Sequence, residues 1–101
     1  MAAKDLVESS ISNNKIAIFS KSYCPYCKRA KALLTSEYPD VQTEILELDE
    51  RDDGSEIQSY LFDKTGQRTV PNIFINKQHI GGCDSVIALK EQGKLTALVK
   101  A

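Results

Sequence analysis

Two cysteines separated by two residues are the side chains in this sequence that are best suited to chemistry: Cys24-Pro25-Tyr26-Cys27. They follow an apolar run at residues 16–19 and open a segment with helical patterning, so the sequence predicts that a strand turns into a helix at Cys24. Proline is favoured at the first helical position, which makes Cys24 the predicted N-cap. Unpaired backbone N–H groups and the helix dipole favour an anion there, and a thiolate is such an anion.

The chemistry that this pair could perform is thiol-disulfide exchange. Only a thiolate attacks a disulfide, and a Cys-x-x-Cys motif at a helix N-terminus lowers a thiol pKa from about 8.5 to a value in the range ~3.5 to 7.5. Cys24 is therefore the candidate nucleophile. Cys27 lies about one helical turn deeper, near enough to close a disulfide with Cys24 but with less access to solvent, so its predicted role is to resolve mixed disulfides.

Two other interpretations of the pair remain open. A Cys-x-x-Cys can be half of a zinc site, and Cys83 and His79 would bring the possible ligands to four. Zinc half-sites usually lie on tight knuckles rather than at a strand-helix junction with proline, so redox chemistry is favoured over zinc. The pair could also be inert core cysteines, but the neighbouring lysine-rich segment indicates exposed and reactive thiols.

Length and composition limit the class of protein. A chain of 101 residues predicts one domain over residues 1–101, and 42% hydrophobic residues, 27% charged residues and a net charge of -1 are typical of a soluble globular protein that does not bind nucleic acid. Three cysteines fit a reducing compartment, so we expect a cytoplasmic location. The N-terminus indicates no targeting segment, and no apolar stretch approaches the ~20 residues of a membrane span.

The elements that must position the cysteines follow from hydrophobic periodicity and turn residues. Ser55 is the predicted N-cap of the third helix and Gly66 its C-terminal stop, while the acidic run 49–54 is predicted to be a solvated loop. The predicted helices are 4–13, 24–36, 55–65, a fourth starting near Asp84 and ending at Gly93, and a short final one at 95–99. The predicted strands are 15–20, 42–48, 72–75 and 78–80, the last two forming a hairpin around 76–77.

This order of elements places a βαβ unit first and a β-hairpin last. It predicts an α/β protein with a central four-stranded mixed sheet flanked by helices, in which the first strand lies in the interior. A Cys-x-x-Cys beside a βαβ unit is typical of the thioredoxin fold, which is the fold class that we expect.

A second half of the site is predicted at Thr69-Val70-Pro71, just before a strand. Proline cannot donate to a sheet ladder, so a cis peptide bond at Val70-Pro71 would provide the necessary turn. The Val70 backbone would then offer its N–H and C=O to an extended peptide that adds as a strand. The alternative interpretation is an ordinary proline at a strand entry.

Two further segments complete a predicted groove. Gly82-Cys83-Asp84 combines small residues with a helix N-terminus that could bind a carboxylate, although a turn with an Asp cap is the simpler interpretation. Lys21 lies three residues before Cys24 and could support the thiolate or pair with an anionic substrate, although most such lysines are merely solvated. A short thiol peptide with two carboxylates would fit such a groove.

With these motifs in order and at family-like spacing, the chain resembles the glutaredoxins from the strand before Cys24 to Leu89. The resemblance implies a dithiol glutaredoxin on a thioredoxin fold, which reduces protein-glutathione mixed disulfides and low-molecular-weight disulfides with glutathione as electron donor and without a metal. It implies that Cys24 takes the glutathionyl group, that Cys27 is the resolving thiol, and that Tyr26 flanks the bound tripeptide.

The remaining positions carried over from the family surround the tripeptide. Lys21 and Gln58 match positions near its glycyl carboxylate, and Arg68 is a secondary candidate there. Val70 matches the position whose backbone pairs with the cysteinyl moiety, and Thr69 and the cis Pro71 shape that edge. The positions that match the γ-glutamyl end are Gly82, Cys83 and Asp84. Cys83 could instead be a small residue packed behind the groove.

Two related classes are alternatives to this interpretation. Thioredoxin itself is disfavoured because a tryptophan is expected beside its active site and the chain has no Trp. Some relatives of the family bridge an iron-sulfur cluster between two protomers, but those more often carry a small residue where this chain has Pro25. The expected partners are therefore glutathione and glutathionylated or disulfide-containing proteins. We expect the protein to be a monomer that binds neither nucleic acid nor a membrane.

Overall fold

The computed structural model describes residues 2–101, so the predicted domain of residues 1–101 includes one residue, Met1, outside the described part. The helices in that part are α1 Ala3–Asn13, α2 Pro25–Glu37, α3 Gly54–Thr65, α4 Cys83–Glu91 and α5 Leu95–Lys100, with a 3₁₀ turn at Leu48–Glu50. The strands are β1 Ile16–Ser20, β2 Thr43–Glu47, β3 Asn72–Ile75 and β4 Gln78–Gly81. Within residues 2–101, no helix combines the length and the apolar character that crossing a membrane requires.

The strands form one mixed sheet in the order β2-β1-β3-β4. β1 runs parallel to β2, from Ile16 opposite Thr43 to Ser20 opposite Glu47, and antiparallel to β3. All five residues of β1 are buried, because β1 has a neighbouring strand on each side and helices over each face. The predicted interior strand and the predicted mixed sheet of the thioredoxin fold are therefore confirmed.

Hydrophobic residues of the sheet alternate between two apolar clusters, one on each face. Ile16 and Ile18 of β1 point toward the cluster under α2, α4 and α5, whereas Ala17 and Phe19 point toward the cluster under α1 and α3. The Phe19 ring meets the Phe74 ring edge to face, with 6.0 Å between centroids. Burying each large side chain contributes about 1.5–3 kcal/mol, so β1 stabilises both halves of the molecule.

The start of α3 differs from the sequence prediction. The N-cap is Asp53 and the helix begins at Gly54, so the prediction of Ser55 as N-cap is wrong. The 3₁₀ turn brings the Leu48 carbonyl so close that a Cβ on residue 54 would lie 1.9 Å from its oxygen. Only glycine fits there, and that close contact sets the helix start rather than the capping preference of serine.

The acidic run is also more ordered than predicted. Most of it is exposed, but Asp49 and Glu50 belong to the 3₁₀ turn rather than to an irregular loop. The predicted hairpin is confirmed, with Asn76 at φ 52° and Lys77 at φ 66° in the left-handed conformation that a two-residue hairpin turn needs. Gly66, at φ 79°, ends α3 as predicted.

Candidate active site

Cys24 occupies the junction between β1 and α2. It is the N-cap of α2, with Pro25 in the first turn, and its Sγ accepts a hydrogen bond from the Cys27 backbone N–H at 3.4 Å. The Cys24 N–H in turn donates to the Lys21 carbonyl at 3.1 Å, which closes the loop that leads from β1. The predicted N-cap is confirmed, and the sulfur takes the place that a serine oxygen takes in an ordinary cap.

The surroundings of Cys24 favour its thiolate. Burial raises the pKa of the Cys24 thiol, but hydrogen bonds from the Cys27 side chain, the Cys27 backbone and the Tyr26 backbone outweigh burial and hold the pKa below the ordinary thiol value. The Lys31 ammonium lowers the pKa of Cys24 further. Because the thiolate is the attacking form, Cys24 is equipped to react with a disulfide.

Cys27 has the opposite character. Its side chain is 0% exposed, and burial first, then the hydrogen bond with the Cys24 side chain, raises the pKa of the Cys27 thiol. The prediction that Cys27 has less access to solvent than Cys24 is confirmed. The pair therefore combines a half-buried Cys24, whose pKa is lowered, with a buried Cys27 one helical turn away, whose pKa is raised.

The second half of the predicted site lies beside this sulfur. Cys24 Sγ is 3.8 Å from the Val70 carbonyl oxygen, and the Val70-Pro71 peptide bond is cis, as the sequence predicted. Among the described residues, no protein group accepts a hydrogen bond from the Val70 N–H. That backbone edge is therefore available to an extended peptide next to the reactive sulfur.

A groove of about 480 Å³ runs along this edge. Seven of the predicted site residues line it: Tyr26, Thr69, Val70, Pro71, Gly82, Cys83 and Asp84. Two further lining residues, Gln67 and Ser85, were not predicted. Tyr26 is 57% exposed, so its ring stands at the groove without a protein partner covering it.

The far wall of the groove is the start of α4. Gly82 is the N-cap, and a Cβ on it would lie 3.6 Å from the Pro71 carbonyl oxygen, so the two walls are in close contact. The Cys83 and Asp84 N–H groups belong to the first turn of α4 and face outward from its N-terminus. Cys83 is 4% exposed, and burial raises the pKa of its thiol, which fits a small packed residue better than a reactive one.

Five predicted residues lie outside the lining of this groove: the two cysteines Cys24 and Cys27, whose sulfurs are described above, and Gln58, Arg68 and Lys21. Gln58 and Arg68 line a separate cavity of about 310 Å³, where Gln58 Nε2 donates to the Arg68 carbonyl at 2.8 Å. The Arg68 guanidinium lies 4.1 Å from the centre of the Phe62 ring. Lys21 lines neither cavity; hydrogen bonds from Ser22 lower the pKa of Asp49, and the Lys21 charge adds a smaller contribution.

Sequence reasoning missed two residues that support Cys24. Lys31, whose charge favours the thiolate, forms an ion pair with Glu47 at 2.6 Å. Asp49 accepts hydrogen bonds from the backbone N–H and the hydroxyl of Ser22, and so fixes the loop just before Cys24. The signal that could have revealed Asp49 is its place two residues after β2, because parallel β1 and β2 end side by side.

The four possible zinc ligands do not converge. His79 Nε2 lies 3.2 Å from Gln67 Oε1, on the edge strand β4. Across residues 2–101, no three His, Cys, Asp or Glu side chains are close enough together to hold a metal ion.

Comparisons with known proteins agree with this geometry. The family model described as Glutaredoxin matches residues 16–80. Glutaredoxin-1 of Rhizophagus irregularis is 52% identical over 98 residues, which cover 97% of this chain and 95% of the relative. A glutaredoxin of Ricinus communis is 51% identical over 89 residues, covering 88% and 85%. A crystal structure of a buckwheat glutaredoxin-glutathione complex has a TM-score of 0.90 at 42% identity, covering 97% of this chain and 87% of that one.

Proposed function

This chain belongs to the glutaredoxin family and is a thiol-disulfide oxidoreductase, and from that premise we propose that it uses glutathione to reduce protein-glutathione mixed disulfides and low-molecular-weight disulfides through Cys24. The observation that carries the proposal is the position of the Cys24 sulfur, at the N-cap of α2 and 3.8 Å from the Val70 carbonyl, beside a Val70 N–H for which the described residues offer no acceptor. A thiolate and a peptide-binding edge are the two parts that recognition and attack of a glutathionyl group require.

The first exchange removes the glutathionyl group from the substrate. The Cys24 thiolate attacks the glutathione sulfur, a Cys24-glutathione disulfide forms, and the bond between glutathione and the substrate breaks. The substrate thiolate leaves and takes a proton from solvent. The hydrogen bonds that lower the pKa of Cys24 favour its ionised form for this step.

The second exchange regenerates the enzyme. A glutathione thiolate attacks the glutathione sulfur held on Cys24, which forms oxidised glutathione and releases the Cys24 thiolate. The same low pKa that favours the thiolate makes Cys24 a good leaving group. Cys27 offers another route, in which its thiol loses a proton and attacks Cys24 Sγ, forming an internal disulfide and releasing glutathione. The same internal disulfide serves the reduction of a substrate disulfide: the Cys24 thiolate forms a mixed disulfide with one substrate sulfur, Cys27 attacks Cys24 Sγ and releases the substrate as a dithiol, and two glutathione molecules then reduce the Cys24-Cys27 disulfide.

In this proposal the tripeptide lies in the groove in a single orientation. The Val70 backbone pairs with the cysteinyl moiety, and the first-turn N–H groups at Cys83 and Asp84 take the γ-glutamyl carboxylate. Tyr26, which lines the groove, flanks the bound tripeptide. The glycyl end extends toward the loop that precedes Cys24, where Lys21 supplies a cation. Arg68, in the separate cavity that it shares with Gln58, is a second candidate cation for this carboxylate.

The proposal extends to compartment and partners. The odd and modest number of cysteines, three, supports a reducing compartment such as the cytoplasm. The partners are glutathione and glutathionylated or disulfide-containing proteins, and the chain works as a monomer.

The direct test is glutathione-dependent reduction of a glutathionylated peptide, coupled to glutathione reductase. Wild type is compared with Cys24→Ser and with Cys83→Ser, which removes a thiol that the mechanism does not use. We expect Cys24→Ser to abolish turnover and Cys83→Ser to retain most of it. An inactive wild type, or an active Cys24→Ser variant, would overturn the proposal.

A further inference from the structure

The side chain of Gln67 spans the segment that contains Val70. Gln67 Nε2 donates one hydrogen bond to the Thr69 carbonyl and another to the Pro71 carbonyl, each at 2.9 Å. These carbonyls belong to the residues immediately before and after Val70. One amide group therefore ties down both sides of the backbone edge that faces Cys24.

The amide of Gln67 is oriented by a third contact. Its Oε1 lies 3.2 Å from His79 Nε2 on β4, so an N–H on that ring nitrogen donates to the amide oxygen and leaves the NH₂ group directed at the two carbonyls. The His79 ring is held in turn against Phe74, with 5.2 Å between centroids. Both N–H groups of the amide therefore donate to backbone carbonyls, and its oxygen accepts from His79.

Because both N–H groups of its amide already donate within the protein, Gln67 affects a substrate only indirectly, by holding the backbone of Thr69–Pro71 in position. Its side chain lines the groove, yet neither amide N–H remains to bind a ligand. A hydrogen bond between neutral groups contributes about 0.5–1.5 kcal/mol, so losing two of them leaves the Thr69–Pro71 segment free to sample other positions. The segment would then present the Val70 N–H and C=O in the binding geometry less of the time.

We propose that Gln67, oriented by His79, is a positioning residue that makes the enzyme selective for disulfides with a peptide backbone at the attacked sulfur. This inference rests on the proposed function. A glutathionyl disulfide gains from a fixed Val70 edge because its cysteinyl N–H and C=O pair with that edge. A small aromatic disulfide without a peptide group gains nothing from Val70 and depends only on the reactivity of the Cys24 thiolate.

The test compares two substrates in two glutamine variants. Gln67→Met keeps the length of the side chain and removes both donors, and Gln42→Met makes the same exchange at an exposed glutamine between α2 and β2. We expect Gln67→Met to lower kcat/KM for a glutathionylated peptide about tenfold. The rate at which Cys24 reacts with a non-peptide aromatic disulfide, and its alkylation rate as a function of pH, should change less than about twofold. Gln42→Met should resemble wild type on both substrates.

The His79→Leu variant is a second test, in which Gln67 itself is unchanged. It removes the donor that orients the amide, so kcat/KM for the glutathionylated peptide should fall about threefold while the reaction with the aromatic disulfide stays unchanged. Equal losses on both substrates, or no loss in Gln67→Met, would overturn the inference. Wild-type turnover of the glutathionylated peptide tests the proposed function by itself. If wild type is active, the Gln67 and His79 variants then test only the role of Gln67.

Discussion

The reactivity of Cys24 follows from what surrounds its sulfur rather than from the motif alone. Cys24 and Cys83 both lie at helix starts, yet the pKa of Cys24 is lowered and that of Cys83 is raised. Burial raises both pKa values. At Cys24 the hydrogen bonds from Cys27 and Tyr26 outweigh burial, whereas Cys83 has no comparable donors. Position at a helix start is therefore insufficient without groups that donate to the sulfur.

The first prediction at this scale is a pH dependence. Because the folded-state pKa of Cys24 is lowered, its thiolate persists below the ordinary thiol pKa of about 8.5 and is lost only as pH falls through the lowered value. Alkylation of Cys24 by iodoacetamide, measured against pH, should therefore reach half its maximal rate below pH ~8.5. The Cys24→Ser variant should react little in that range because burial raises the pKa of both other thiols. A midpoint at or above the ordinary thiol value would contradict this reading of the site.

The second prediction separates the two cysteines. Cys27→Ser should retain deglutathionylation, because both exchanges of that reaction take place on Cys24, but should lose reduction of dithiol disulfides, which needs the internal disulfide. The measurement compares turnover of a glutathionylated peptide with turnover of a protein disulfide, using Cys83→Ser as the matched single-thiol control. Retention of both activities would remove the resolving role of Cys27.

At the scale of elements, the parallel pairing of β1 and β2 accounts for the fixed loop before the nucleophile. The two strands end together at Ser20 and Glu47, and two residues further on Asp49 accepts hydrogen bonds from Ser22. The composition of the acidic run predicts a solvated loop, so the contact between Asp49 and Ser22 could not be predicted from the local sequence. It depends on strand register, which the sequence only implies.

The start of α3 leads to a stability prediction. In Gly54→Ala the new Cβ would lie 1.9 Å from the Leu48 carbonyl oxygen, so the helix start or the 3₁₀ turn must move, and we expect the free energy of unfolding to fall by about 1–3 kcal/mol. Gly66→Ala is the comparison, because Gly66 has positive φ but no atom within 4 Å of a Cβ. Its cost should be only about 1 kcal/mol. Urea unfolding of both variants checks the order, and an equal or smaller loss at Gly54 would show that the close contact relaxes freely.

At the scale of the whole molecule, the sequence predicted the order of elements well. Strong periodicity and turn residues located the helices, the interior strand and the hairpin, because those signals are local. The fold brings Cys24 into contact with Val70, which is 46 positions away in the sequence. The motifs predicted this contact because each of them carries its own chemistry. The roles of Gln67 and Lys31 were not predictable, because an ordinary glutamine or lysine acquires its role only from the partners that folding supplies.

The two apolar clusters give this arrangement its rigidity. β1 contributes to both clusters, and the nucleophile follows its last residue by four positions, so the sulfur is attached to one of the two fully buried strands of the sheet. The substrate edge at Val70 leads directly into β3, the other interior strand. Both halves of the site are therefore held by the centre of the fold, as a reaction that needs a fixed distance between sulfur and substrate requires.

The central claim is that Cys24 accepts the glutathionyl group, and one measurement tests it most directly. The Cys27→Ser variant, which cannot resolve a mixed disulfide internally, is treated with oxidised glutathione and mapped by peptide mass spectrometry. We predict one glutathionyl group per chain, located on Cys24, and its release by added reduced glutathione. A glutathionyl group on Cys83 instead, or an unmodified Cys24, would contradict the account.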